Sequence, residues 1–173
     1  MSDMPRIESL HVVVGGLSRA QLTSALEARG ILLNAHAETL LGHAVFDTRD
    51  AETVTVTERS VAELGLAEGA SHSQILDAAQ RQNLLLCPPE TGPYLRLALT
   101  EQATSPDSVM SAGHAPVGSL TVATAVLSDD DEYPKGFYLR VVDGQAWLRG
   151  YRCDDEHLWS ADDRFLFRVP ETD

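Results

Sequence analysis

The sequence predicts an α+β fold on three observations: helix-capping signals gather in the first half, alternating apolar patterns fill the second, and an Asp-Gly pair separates two strand-like runs. A doubly wound sheet would interleave strands and helices along the whole chain, so helices packed on a mostly antiparallel sheet are expected instead. With 173 residues, 43% hydrophobic and 23% charged, residues 1–173 are expected to form one compact domain.

The elements follow in order. Arg6 to Val14 is rich in β-branched residues and stops at Gly15-Gly16, which suits a strand and a turn. Ser18 and Gln21 form a capping-box pair, with Leu17 and Leu22 at staple positions, and the helix they open runs to about Arg29 before Gly30. Asn34 is a second cap, ahead of a short helix that Gly42 closes. Glu52 to Val61 alternates, with Val54 and Val56 on one face of a strand. Ser71 and Gln74 repeat the capping box, with Ala70 and Ile75 as the staple, and the inner face of this third helix is Ile75, Ala78 and Ala79. Leu84 to Cys87 reads as a short buried strand that Pro88-Pro89 ends, because neither proline has an amide proton. Pro93 to Leu99 alternates, and a strand is expected with Leu95, Leu97 and Leu99 on one side and Tyr94 and Arg96 on the other. Residues 100–118 are weakly patterned and rich in turn formers, the expected mobile loop. A strand from Ser119 to Leu127, the acidic turn Asp129 to Glu132, a β-hairpin over 137–151 and a strand from Arg164 to Val169 complete the chain.

Charge and cysteine content narrow the function classes. Acidic residues outnumber basic ones 26 to 13, a formal net charge of −13 that opposes non-specific nucleic-acid binding and attraction to anionic lipid. Two cysteines, Cys87 and Cys153, make neither a disulfide scaffold nor a zinc motif, and a reducing cytoplasm is expected. The start Met1-Ser2-Asp3-Met4-Pro5 does not read as a secretory leader, and no apolar run approaches the roughly 18 residues of a membrane helix, so no membrane association is expected.

The hairpin is the most informative surface. An Asp143-Gly144 turn pairs Val142 with Gln145, Arg140 with Trp147 and Tyr138 with Arg149. Phe137, Leu139, Val141, Ala146, Leu148 and Gly150 then share a core-facing side, and Tyr138, Arg140, Trp147, Arg149 and Tyr151 share the other with Val142 and Gln145. Tyr, Trp and Arg are over-represented at binding hot spots, and a guanidinium can stack on an indole. The run Gly92-Pro93-Tyr94-Leu95-Arg96 echoes Gly136-Phe137-Tyr138-Leu139-Arg140, which would add Tyr94 and Arg96 to this face. The competing structural reading pairs these arginines with the acidic turns at Asp129 to Glu132 and Asp154 to Glu156 and covers the rings with helices.

Other candidate sites are weaker. Cys153-Asp154-Asp155-Glu156-His157 groups thiol, carboxylate and imidazole, yet lacks the spacing of a metal site or a secured Cys/His pair, and is expected to be an acidic turn. Cys87 reads as a small core residue. His36 and His43 would share a helical face only if the second helix continued past Gly42. His72 reads as a cap-region residue and His11 as a hydrogen-bonded core residue. Gly15-Gly16 lacks the spacing of a phosphate loop, and Asp129 to Glu132 lacks that of a calcium loop. No cofactor and no metal are expected.

Leu86-Cys87-Pro88-Pro89-Glu90-x-Gly92-Pro93-x-Leu95-Arg96-Leu97, Pro134-Lys135-Gly136-Phe137-Tyr138-Leu139-Arg140 and Trp147-Leu148-Arg149-Gly150-Tyr151 carry a resemblance. Together they make the chain similar, over nearly its full length, to small bacterial proteins of no established activity, which implies a bacterial, cytoplasmic origin and carries over no activity, cofactor or catalytic residue. A helicase label that some of these carry does not fit a chain without a lysine-bearing phosphate loop. The expected function is a non-enzymatic binding or protein-interaction module whose aromatic and arginine face takes a protein, peptide or small anionic ligand. Exposed, such a face would also suit a homodimer. The alternative is a small hydrolase or isomerase using His157 or His11 with a nearby aspartate for acid-base chemistry.

Overall fold

Strand β1 (Leu10–Val14) pairs antiparallel with β3 (Glu52–Ser60), setting Val12 opposite Val54 and burying Val12, Val14, Val54 and Val56 together. The computed structural model describes residues 7–47, 50–99, 104–105, 119–128, 130, 132–152 and 158–170. Between β1 and β3 lie helix α1 (Arg19–Ala28), the two-residue strand β2 (Leu32–Leu33) and helix α2 (Ala35–Leu41). The caps are those the sequence predicts: Ser18 and Gln21 close a reciprocal capping box on α1, and the Asn34 side chain accepts from the Ala37 amide at the start of α2. After β3 come strand β4 (Ala70–Ser71) and helix α3 (His72–Arg81), where Ser71 and Gln74 form the second box. Asn83 beyond α3 takes a left-handed φ of 63°, and the Leu84 amide returns to the Ala79 carbonyl to close the helix end.

The second half differs from expectation at one element. Residues 93–99, expected as a strand, form most of helix α4 (Thr91–Ala98), in which every residue from Thr91 to Arg96 is buried. Pro93 sits in the first turn, where its missing amide has no carbonyl to meet, whereas inside a sheet it would break the ladder. The even leucine spacing therefore reflects a helix buried all round. Leu84 to Cys87 contributes two isolated bridges, Leu85 to Arg168 and Cys87 to Thr124, rather than a full strand. The expected strand over Ser119 to Leu127 shortens to β6 (Leu120–Val122). Of the expected loop 100–118, Thr104–Ser105 forms β5 on the edge of β7, Ser119 onward is described, and the remainder lies outside the described residues.

Strands β7 (Gly136–Val142) and β8 (Gln145–Tyr151) form the predicted hairpin, with the predicted register throughout. Asp143 and Gly144 have φ of 50° and 80°, the two positive values a primed two-residue turn requires. With β9 (Leu158–Trp159) and β10 (Arg164–Arg168) the described strands are complete. The main sheet runs β1-β3-β10-β6-β7-β8-β2, with β5 attached to β7, and β4 pairs with β9 separately. Most pairs are antiparallel; β6 with β10, β2 with β8 and β5 with β7 are parallel. The fold is α+β.

The sheet is covered on both faces. Residues of α1, α2 and α4 share one core with Phe137, Leu139 and Leu148, while Ile75, Ala78 and Ala79 of α3 join a second core with Tyr138, Tyr151, Trp159, Phe165 and Phe167. Helix α4 contacts β1 as well as β7 and β8, so the sheet curls around it. Close approach sets small residues at the contacts: a Cβ on Gly92 would lie 2.7 Å from the Cβ of Phe137. Cys87 is buried in the first core, its thiol donating to the Leu166 carbonyl at 3.7 Å, and burial pushes its pKa up to about 12. The expected consequence is that, in a Cys153→Ser background, Ellman's reagent at pH 8 leaves Cys87 unlabelled until urea unfolds the chain. Because the folded thiol holds its proton above the unfolded value near 9, Cys87 supports stability below pH 9 and that support declines between pH 9 and about 12.

Candidate surface on the β7–β8 hairpin

Pairing places Tyr138, Arg140, Trp147, Arg149 and Tyr151 on one side of the hairpin, as the sequence predicts, but that side is not an open face. Tyr138 and Tyr151 are buried in the second core, where Trp159 meets Tyr151 edge-on at 5.6 Å and His72 Nε2 lies 3.1 Å from the Tyr151 hydroxyl. Arg140 is 0% exposed. Alternation separates two chemistries along a strand, but which side solvent reaches depends on what packs there, and here the second core is the answer.

Two side chains of the predicted set stay accessible. Trp147 and Arg149 are half-buried, with the Arg149 guanidinium carbon 4.2 Å above the centre of the Trp147 ring. Leu32 is the register partner of Trp147 in the parallel β2–β8 pair and is exposed, so it extends the same surface. No sequence pattern marks β2, because two residues are too few for periodicity to reveal.

Tyr94 and Arg96 belong to α4, so they do not share a strand face with the hairpin residues. The Tyr94 hydroxyl accepts from the Leu17 amide at 3.1 Å, and burial raises its pKa. Arg96, 3% exposed, donates to the Leu99 carbonyl at 2.9 Å and, at longer range, to the Trp147 and Arg140 carbonyls at 3.4 and 3.5 Å. Burial lowers its pKa to about 10, so it remains charged at neutral pH. Lying in the last turn of α4, it offsets the negative carbonyl end of the helix and ties that end to the hairpin.

The histidines sit as follows. His11 is exposed and bonds Thr55 Oγ1 at 2.9 Å, rather than lying in the core. Helix α2 ends at Leu41, so His43 leaves the helical face of His36 and accepts from the Val45 amide. His36 has its pKa lowered by burial and by the nearby Arg152 charge. Residues 153–157, with the Cys153 to His157 cluster and the acidic turn at 154–156, lie outside the described residues, as do Asp129 and Asp131 of the other acidic turn. Arg152 pairs with Glu132 at 2.7 Å. Among the described residues no helix is long and apolar enough to cross a membrane. Comparison with protein-family models, with curated proteins and with solved structures finds no match to this chain.

Proposed function

We propose that the chain is a binding module without chemistry of its own, which recruits a protein or peptide through Trp147, Arg149 and the adjoining Leu32. The observation that supports this reading is the guanidinium held 4.2 Å over a half-buried indole. Stacked in this way, both side chains are ordered before a partner arrives, so less rotamer freedom is lost on binding. The ring supplies area to bury, and the guanidinium supplies donors with a fixed direction. Around this positive spot the chain carries a net charge of −13, which favours encounter with a partner whose rim is basic.

The test uses the full chain as immobilised bait, with its captured partner then purified for binary binding. Trp147→Ala is expected to weaken that complex at least about tenfold, with Arg149→Ala weakening it less. Rising salt should slow association more than it speeds dissociation. A partner held equally well by natively folded Trp147→Ala would remove this surface from the account.

A further inference from the structure

The geometry points to a carboxylate as the group that the partner presents to Arg149, carried beside an apolar side chain. This inference rests on the Trp147–Arg149 surface being the docking surface, and it names the chemistry recognised there. Arg19, Arg152, Arg164 and Arg168 each meet a carboxylate of their own chain at 2.7 to 2.9 Å. Arg149 does not: among the described residues its guanidinium makes no hydrogen bond and no ion pair. In a chain where acidic residues outnumber basic ones 26 to 13, that leaves Arg149 without the usual internal partner.

The nitrogens of Arg149 differ in access. Nε is sealed from solvent with no acceptor, a buried donor left unpaired at a cost in stability. Nη1 and Nη2 are neither sealed nor hydrogen-bonded among the described residues, so they face solvent. The Trp147 ring, 4.2 Å from the guanidinium carbon, covers one flat side. What stays open is the outer edge, where two parallel N–H groups match the spacing of two carboxylate oxygens. Arg140, across the strand pair from Trp147, is wholly buried and already engaged, so Arg149 is the cation offered. Planarity and charge select a carboxylate over a phosphate. The carboxylate can lie in the guanidinium plane, whereas a phosphate carries up to about twice the charge against a chain of net −13. Leu32, 43% exposed and paired with Trp147, supplies apolar surface for the group that bears the carboxylate.

The chain has two tryptophans, so a ¹⁵N-labelled full chain gives two indole N–H signals, which Trp147→Phe assigns. Four probes are titrated: acetyl-leucine, with its carboxylate at the chain end; acetyl-Glu-Leu-amide, with it on a side chain; acetyl-leucinamide, with none; and acetyl-phosphoseryl-leucinamide. At least one carboxylate probe is expected to move the Trp147 signal saturably, with a Kd of about 10 mM or below, and the tighter of the two identifies the source. Acetyl-leucinamide should bind at least about tenfold more weakly. Arg149→Gln should weaken the carboxylate at least about tenfold, and Arg149→Lys about threefold, since lysine keeps the charge and loses the fork. The signal of Trp159, which is buried, should stay in place throughout and so report an intact fold in both variants. No saturable movement with either carboxylate would overturn the proposal, as would equal binding of acetyl-leucinamide, an unchanged Kd in Arg149→Gln, or tighter binding of the phosphoserine probe. If the carboxylates fail while Trp147→Ala still weakens the captured complex, the head group alone is overturned; if both fail, the docking surface falls with it.

Discussion

Gly150→Ala is expected to lower the stability of the chain by about 3 kcal/mol, at the upper end of the usual cost of overpacking. A Cβ there would sit 2.7 Å from the His36 carbonyl carbon and 2.9 Å from the Ala37 amide nitrogen. Those are backbone atoms of the first turn of α2, so no rotamer change relieves the contact. Nor can α2 withdraw freely. Asn34 caps it by accepting from the Ala37 amide, and the same side chain accepts from the Gly150 amide at 2.9 Å and donates to the Gly150 carbonyl at 3.0 Å. One residue therefore fixes both the helix start and its distance from β8. Urea unfolding should place Gly150→Ala well below the parent midpoint with an unchanged slope. In an Asn34→Ala background α2 is free to shift, so the cost of Gly150→Ala should fall by about 1 kcal/mol or more. Strict additivity would mean that the clamp does not hold the helix against the strand.

The parts of this fold that were legible in the sequence are those whose physics is local. Ser18, Asn34 and Ser71 each act on the amide three residues on, and the Asp143-Gly144 turn fixes the hairpin register by its own dihedral angles. Residues 93–99 failed as a strand because even leucine spacing does not distinguish a strand from a helix buried all round. Pro88, Pro89 and Pro93 were the usable signal, since a proline inside a ladder argues against a central strand. The candidate surface shrank for a non-local reason. Tyr138 and Tyr151 are covered by Trp159, Phe165 and Phe167 and by α3, elements distant in sequence whose packing no hairpin pattern encodes. Trp147 and Arg149 lie toward the β2 edge of the sheet, beside a strand two residues long, and so keep partial access to solvent.

Arg96 carries the other large effect, and its size can be divided into two physical parts. Arg96→Ala is expected to cost about 4 kcal/mol, because truncation removes a long buried side chain as well as its hydrogen bonds. Arg96→Met keeps most of the volume and loses only the donors, and should cost about 2 kcal/mol. The second figure is the smaller because two effects oppose. The Leu99 carbonyl loses a charge-assisted bond at 2.9 Å, whereas the carbonyls of Arg140 and Trp147 lose weaker contacts at 3.5 and 3.4 Å. Against this, methionine avoids the cost of burying a guanidinium, a cost visible in the lowering of the Arg96 pKa to about 10. Arg96→Lys should resemble the methionine variant more than the parent, since an ammonium lacks the planar fork that reaches several carbonyls at once. Chemical unfolding of the three variants checks the order. If Arg96→Met matched the parent, burial of the charge would cancel all that the carbonyl tethers contribute, and α4 would be held to the hairpin by packing alone.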